Sequence, residues 1–114
     1  MAEITQIRTS EELETLFGSQ QLVLLLKHST ACPSSAHAKS VFTEFSNEHP
    51  DLAVYAMVSV IESRSVSNEV AERLDVRHQS PQVLMVDGGK MQWHASHYGI
   101  SHEALEEVLQ RSAG

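Results

Sequence analysis

The chain has 114 residues, with 8 basic and 15 acidic side chains, a formal net charge of -7, seven histidines and one cysteine. That length is expected to make a single domain over residues 1–114, and the acidic balance argues against nucleic acid or an anionic membrane surface as partner. One cysteine excludes an internal disulfide, and no uninterrupted apolar stretch approaches the roughly 18 residues that cross a bilayer. Met1-Ala2-Glu3-Ile4-Thr5 lacks the basic start and apolar core of a secretory signal, so the expected compartment is the reducing cytoplasm.

Thr9-Ser10-Glu11-Glu12 reads as a capping box opening a short helix whose apolar face is Leu13, Leu16 and Phe17, ended at Gly18. Leu22 to Leu26 is a continuous apolar run of strand length, the kind buried on both faces of a sheet, with Lys27 and His28 at its exit. From Pro33 the spacing of Ala38, Val41, Phe42 and Phe45 predicts a helix to about Glu48, where His49-Pro50 breaks it. Leu52 to Val60 is strand-like, and Asn68 to Leu74 predicts a helix capped by Ser65 or Ser67. Val83 to Val86 and Met91 to His94 read as a hairpin around Asp87-Gly88-Gly89, and Ser101 to Arg111 as a closing helix.

Two βα units followed by a hairpin and a helix predict an α/β fold. Right-handed crossovers place the first strands parallel and central in a mixed sheet of about four strands, with the hairpin as an antiparallel edge and helices on the flanks. This order resembles the thioredoxin fold. In that fold the active cysteine lies between the first core strand and the next helix, and a proline with a cis peptide bond precedes the hairpin; Cys32 and Pro81 stand in those two places.

The chemistry centres on Ser29-Thr30-Ala31-Cys32-Pro33-Ser34-Ser35. The thiolate is the nucleophile of sulfur chemistry, and a helix start lowers a cysteine pKa from about 8.5 toward roughly 3.5–7.5. The spacing is that of a redox CxxC pair with serine in the second place. A mixed disulfide formed on Cys32 must therefore be resolved by an external thiol, while Ser35 is placed to donate a hydrogen bond to the thiolate. Lys27 and His28 add positive potential nearby, and Pro81 leaves the Ser80 backbone free to pair with a bound thiol substrate. The bland alternative is a small buried cysteine that reacts with nothing. His94 and His97 lack the further ligands of a closed metal site, so no metal is expected, and His37 and the Glu103, Glu106, Glu107 run read as solvated surface.

Lys27-His28-Ser29-Thr30 leading to Cys32-Pro33 with Ser35, then Ser67-Asn68, His78 with Ser80-Pro81-Gln82, Gly89, and Trp93-His94 with Ser96-His97 follow one another in the order of a known family. Over most of its length the chain resembles the monothiol bacilliredoxins of the YtxJ type. Ser34 departs from that pattern, where a branched apolar residue is expected. The resemblance implies Cys32 as catalytic residue, Pro33, Ser35, Thr30 and Pro81 as its supports, and Ser80, Lys27, His28 and Trp93 as substrate-binding. It implies no tightly bound cofactor, and bacillithiol, a small thiol built from cysteine, glucosamine and malate, as co-substrate. The implied partners are bacillithiolated proteins, with bacillithiol or another redoxin as reductant. Two other classes fit a lone cysteine in this setting: a module sharing an iron-sulfur cluster across a dimer, and a thioredoxin-like interaction domain without catalysis.

Overall fold

A computed structural model describes residues 3–30 and 33–113, with side chains as far as residue 110. In chain order the elements are β1 (Ile4–Gln6), α1 (Ser10–Phe17), β2 (Leu22–His28), α2 (Pro33–Glu48), β3 (Val54–Ser59), α3 (Arg64–Leu74), β4 (Gln82–Asp87), β5 (Lys90–Ser96), a 3-10 turn (His97–Gly99) and α4 (His102–Ala113). The strands form one sheet of order β1-β3-β2-β4-β5. β2 runs parallel to β3 and antiparallel to β4, and the β4–β5 hairpin turns through Gly88 and Gly89, whose φ of 61° and 82° suit a two-glycine turn.

Alternation along β2 divides the core. Leu24 and Leu26 face one way, onto Ala38, Phe42 and Phe45 of α2 and Leu105 and Leu109 of α4; Val23 and Leu25 face the other, onto Leu13 and Phe17 of α1 and Val66 and Val70 of α3. All four of these β2 side chains are buried, which is why the run reads as uninterrupted leucine and valine. Helix α1 has the expected capping box: the Thr9 hydroxyl accepts from Glu12 N–H at 3.1 Å, and Glu12 Oε1 accepts from Thr9 N–H at 3.1 Å. Across the outer face, His102 of α4 meets Glu44 and Glu48 of α2 at 3.1 and 3.5 Å.

The structure corrects the expected outline in three places. The sheet has five strands rather than about four, because the three-residue β1 pairs with β3. Helix α3 begins at Arg64, four residues early; its N-cap is Ser63, which makes no side-chain capping bond, rather than Ser65 or Ser67. Strand β2 continues through Lys27 and His28, which stay in register with Val58 and Ser59 of β3. No helix among the described residues is long and apolar enough to cross a membrane.

Candidate functional site

The carboxyl end of β2, the start of α2 and the start of β4 meet at one end of the sheet. Cys32, the expected nucleophile, lies outside the described residues, as does Ala31; the flanks at 28–30 and from Pro33 onward are described. Ser35, in the first turn of α2, is fully buried, and its Oγ accepts the Ser29 N–H at 3.2 Å. That bond ties the strand exit to the helix across the intervening residues. It occupies an acceptor site of the hydroxyl and leaves the hydroxyl proton available to donate. Thr30 and Pro33 are exposed.

On the opposite side of this end, Pro81 is buried and the Ser80–Pro81 peptide bond is cis, as the sequence position suggested. The Pro81 carbonyl accepts the His97 N–H at 3.2 Å, so the 3-10 turn closes on the loop. Ser80 is partly buried, and its Oγ has no hydrogen-bond partner among the described residues. Gln82, the next residue, pairs in register with Lys27 of β2 and Ser96 of β5.

Lys27 and His28 are neighbours in sequence but point to opposite faces of the sheet, as strand alternation requires. Lys27 is fully buried, so it does not present its ammonium to a surface ligand as a substrate-binding residue would. Its Nζ lies 3.1 Å from Nδ1 of His78. An ammonium only donates, so Nδ1 of a neutral His78 accepts and the imidazole proton resides on Nε2. Burial, together with the charges of Lys27 and Arg64, holds the His78 pKa below the usual histidine value. Among the described residues, Oε1 of the buried Gln82 and Oγ of the buried Ser67 have no hydrogen-bond partner.

Burial also pulls Lys27 down from 10.5 to about 8. Between about pH 8 and 10.5 the unfolded chain keeps a proton that the folded chain has released, so the unfolded state binds more protons and stability rises with pH through that window. Below it both states are charged and the desolvation penalty stands in full. Lys27→Met is therefore expected to stabilise the fold at pH 7 by about 1–3 kcal/mol and to remove the alkaline rise. Urea unfolding of both proteins at pH 7 and pH 9.5 checks this, and parallel pH profiles would show that Lys27 carries no such penalty.

His28, only 8% exposed, faces α2 and has no hydrogen-bond partner for Nδ1 among the described residues. Burial, then the nearby Lys39 charge, lower its pKa, which keeps the imidazole neutral at neutral pH. His28, Ser29 and Thr30 form one wall of a groove of about 510 Å³ whose other wall is Ala36, Lys39, Ser40, Thr43 and Glu44. The volume falls within the range of small-molecule sites.

Trp93, expected to bind substrate, stands three registers down the sheet, opposite Met85 and so level with Leu24 rather than Lys27. At about 3.3 Å per residue that is about 10 Å along the strands. Its partly buried ring packs on the core beneath α2 and α4, so the structure does not bring it to this end. His37 is exposed. No group of three or more metal-ligating side chains occurs among the described residues. His78, Gln82 and the groove residues Lys39, Ser40 and Thr43 join the site without having been singled out from sequence. His78 and Gln82 had a signal in the family-like pattern, whereas the α2 residues had none beyond their shared helix face.

A family model described as "Monothiol bacilliredoxin BrxC" matches residues 5–105. Among solved structures, one described as "A putative oxidoreductase with a thioredoxin fold" is similar at 28% identity and a TM-score of 0.86, covering 92% of each chain. Thioredoxin of Malassezia sympodialis superimposes at 15% identity and a TM-score of 0.81, covering 100% of this chain and 94% of the other. Thioredoxin of Trypanosoma brucei brucei does so at 13% and 0.78, covering 95% and 92%. The last two likenesses establish the fold alone, and the fold is thioredoxin-like.

Proposed function

The chain belongs to the monothiol bacilliredoxin family, and on that premise we propose that it removes bacillithiol from protein mixed disulfides through Cys32. Family and fold together support a thiol redox role. The observation that carries the finer reading is the family match across residues 5–105, a span that contains the one cysteine of the chain.

In the proposed cycle the Cys32 thiolate attacks the bacillithiol sulfur of a mixed disulfide. A new S–S bond forms between Cys32 and bacillithiol, the old S–S bond breaks, and the protein thiolate leaves and takes a proton from water. A second bacillithiol thiolate, or another redoxin, then attacks the mixed disulfide on Cys32 and restores the free thiolate; with bacillithiol as reductant the product is bacillithiol disulfide. Ser35, where a second cysteine would stand, resolves nothing, and its hydroxyl proton favours the charged form of the sulfur. The buried Lys27 ammonium, at the same end of β2, adds positive potential without touching substrate. Ser80, Pro81 and Thr30 are proposed to frame the incoming disulfide.

Exposure of the protein to bacillithiol disulfide and, separately, to glutathione disulfide, followed by intact mass spectrometry, tests the thiol class. Preferential addition of bacillithiol is expected. Equal addition of both would reduce the reading to general thiol exchange.

A further inference from the structure

We propose that the groove between the β2 exit and α2 is the subsite for the carboxylate-bearing part of the small thiol, with Lys39 as the residue that selects for it. The inference rests on the reading of Cys32 as the site of exchange with such a thiol. Ala36, Lys39 and Thr43, and beside them Ala36, Ser40 and Glu44, are related by the three- and four-residue spacings that put helix side chains on one face. That face looks onto His28, Ser29 and Thr30, the residues that lead directly to Cys32.

Three features suit this groove to a polar anionic ligand. Lys39 is exposed and makes no ion pair among the described residues, so its ammonium is available to a carboxylate in a chain that otherwise carries an acidic excess. Ser40 and Thr43, one residue and one turn beyond Lys39, add hydroxyls to the same groove, groups that can hydrogen-bond the hydroxyls of a sugar ring. His28 places a largely buried imidazole in the facing wall, so the side of the groove opposite Lys39 is polar as well. Glu44, the other charge in the groove, already faces Nε2 of His102 at 3.1 Å at the far end of this wall. Bacillithiol carries groups of the matching chemistry: a sulfur for exchange at Cys32, a hydroxyl-rich sugar, and a malyl group with two carboxylates.

The test uses S-methyl bacillithiol, a thioether that cannot exchange, titrated into the full-length protein and followed by amide NMR. The expected result is perturbation at Thr30, Ala36, Lys39, Ser40 and Thr43, a Kd about tenfold weaker in Lys39→Gln, and recovery in Lys39→Arg. The same thioether without its malyl group is expected to bind the wild type about tenfold more weakly and to lose nothing further in Lys39→Gln. Absence of groove perturbation, or an unchanged Kd in Lys39→Gln, overturns the subsite even if Cys32 exchanges normally. Groove binding that depends on Lys39 in a protein whose Cys32 exchanges with no disulfide would leave the subsite standing and overturn the proposed function instead.

Discussion

Cys32→Ser is expected to lower the rate of bacillithiol removal from a modified protein by at least about a thousandfold, with the fold retained by circular dichroism. Nucleophilic catalysis depends on one atom, and a serine hydroxyl stays protonated at neutral pH and forms no disulfide. In enzymes with a second cysteine, loss of one sulfur can leave partial reactions on the other. Here the chain contains no other sulfur nucleophile, because its four methionines are thioethers. The companion variant Ser35→Cys supplies the missing resolving thiol. It is expected to preserve attack but to divert the mixed disulfide into an internal one, shifting the product from a bacillithiol adduct to an oxidised monomer two mass units lighter than the dithiol form. Residual turnover in Cys32→Ser above the uncatalysed rate would remove the thiolate from the centre of the mechanism.

The second large effect concerns stability. Phe42→Ala is expected to cost about 3–5 kcal/mol, a large share of the roughly 5–15 kcal/mol that folds a domain of this kind. Phe42 is fully buried on α2, and its ring meets that of Tyr55 on β3 edge-on, with centroids 5.8 Å apart and planes at 82°. The change removes an aromatic volume and the ring pairing together. Tyr55 is held from its other end by a 2.6 Å hydrogen bond donated to the His49 carbonyl just beyond α2, so strand and helix are joined at two points. Because α2 supplies both Ser35 and the groove wall, its docking against the sheet also sets the geometry of the site. Urea unfolding measures the effect, and a loss below about 1 kcal/mol would mean that the core closes over the vacancy.

Much of this architecture is legible in the sequence because its signals are strong and local. Pro33 to Glu48 forms the helix its spacing predicts, since proline opens the first turn and Ala38, Val41, Phe42 and Phe45 recur on one face. The capping box at Thr9 and the two-glycine hairpin are equally local, and both occur. What escaped depends on partners distant in sequence. Ile4–Gln6 is a strand only because β3 offers it an edge; three residues with no apolar run carry no such message. Lys27 reads as an exit residue by its charge, yet the ladder continues through it and buries it against His78, 51 positions away. Trp93 belongs to the family-like pattern, but register alone decides that it lies level with Leu24 and away from the site. Lys39, Ser40 and Thr43 resemble any solvated helix face until His28, Ser29 and Thr30 are seen opposite them.

The central claim is that Cys32 itself takes bacillithiol from a protein. The most direct measurement mixes this protein, freshly reduced, with a client carrying bacillithiol on its single cysteine, stops the reaction with acid within seconds, and weighs both proteins and the Cys32 peptide. The client is expected to lose one bacillithiol for each one that appears on Cys32, and Cys32→Ser to receive none. A client that is freed while Cys32 stays unmodified at every time point, or that is freed equally by Cys32→Ser, would contradict it.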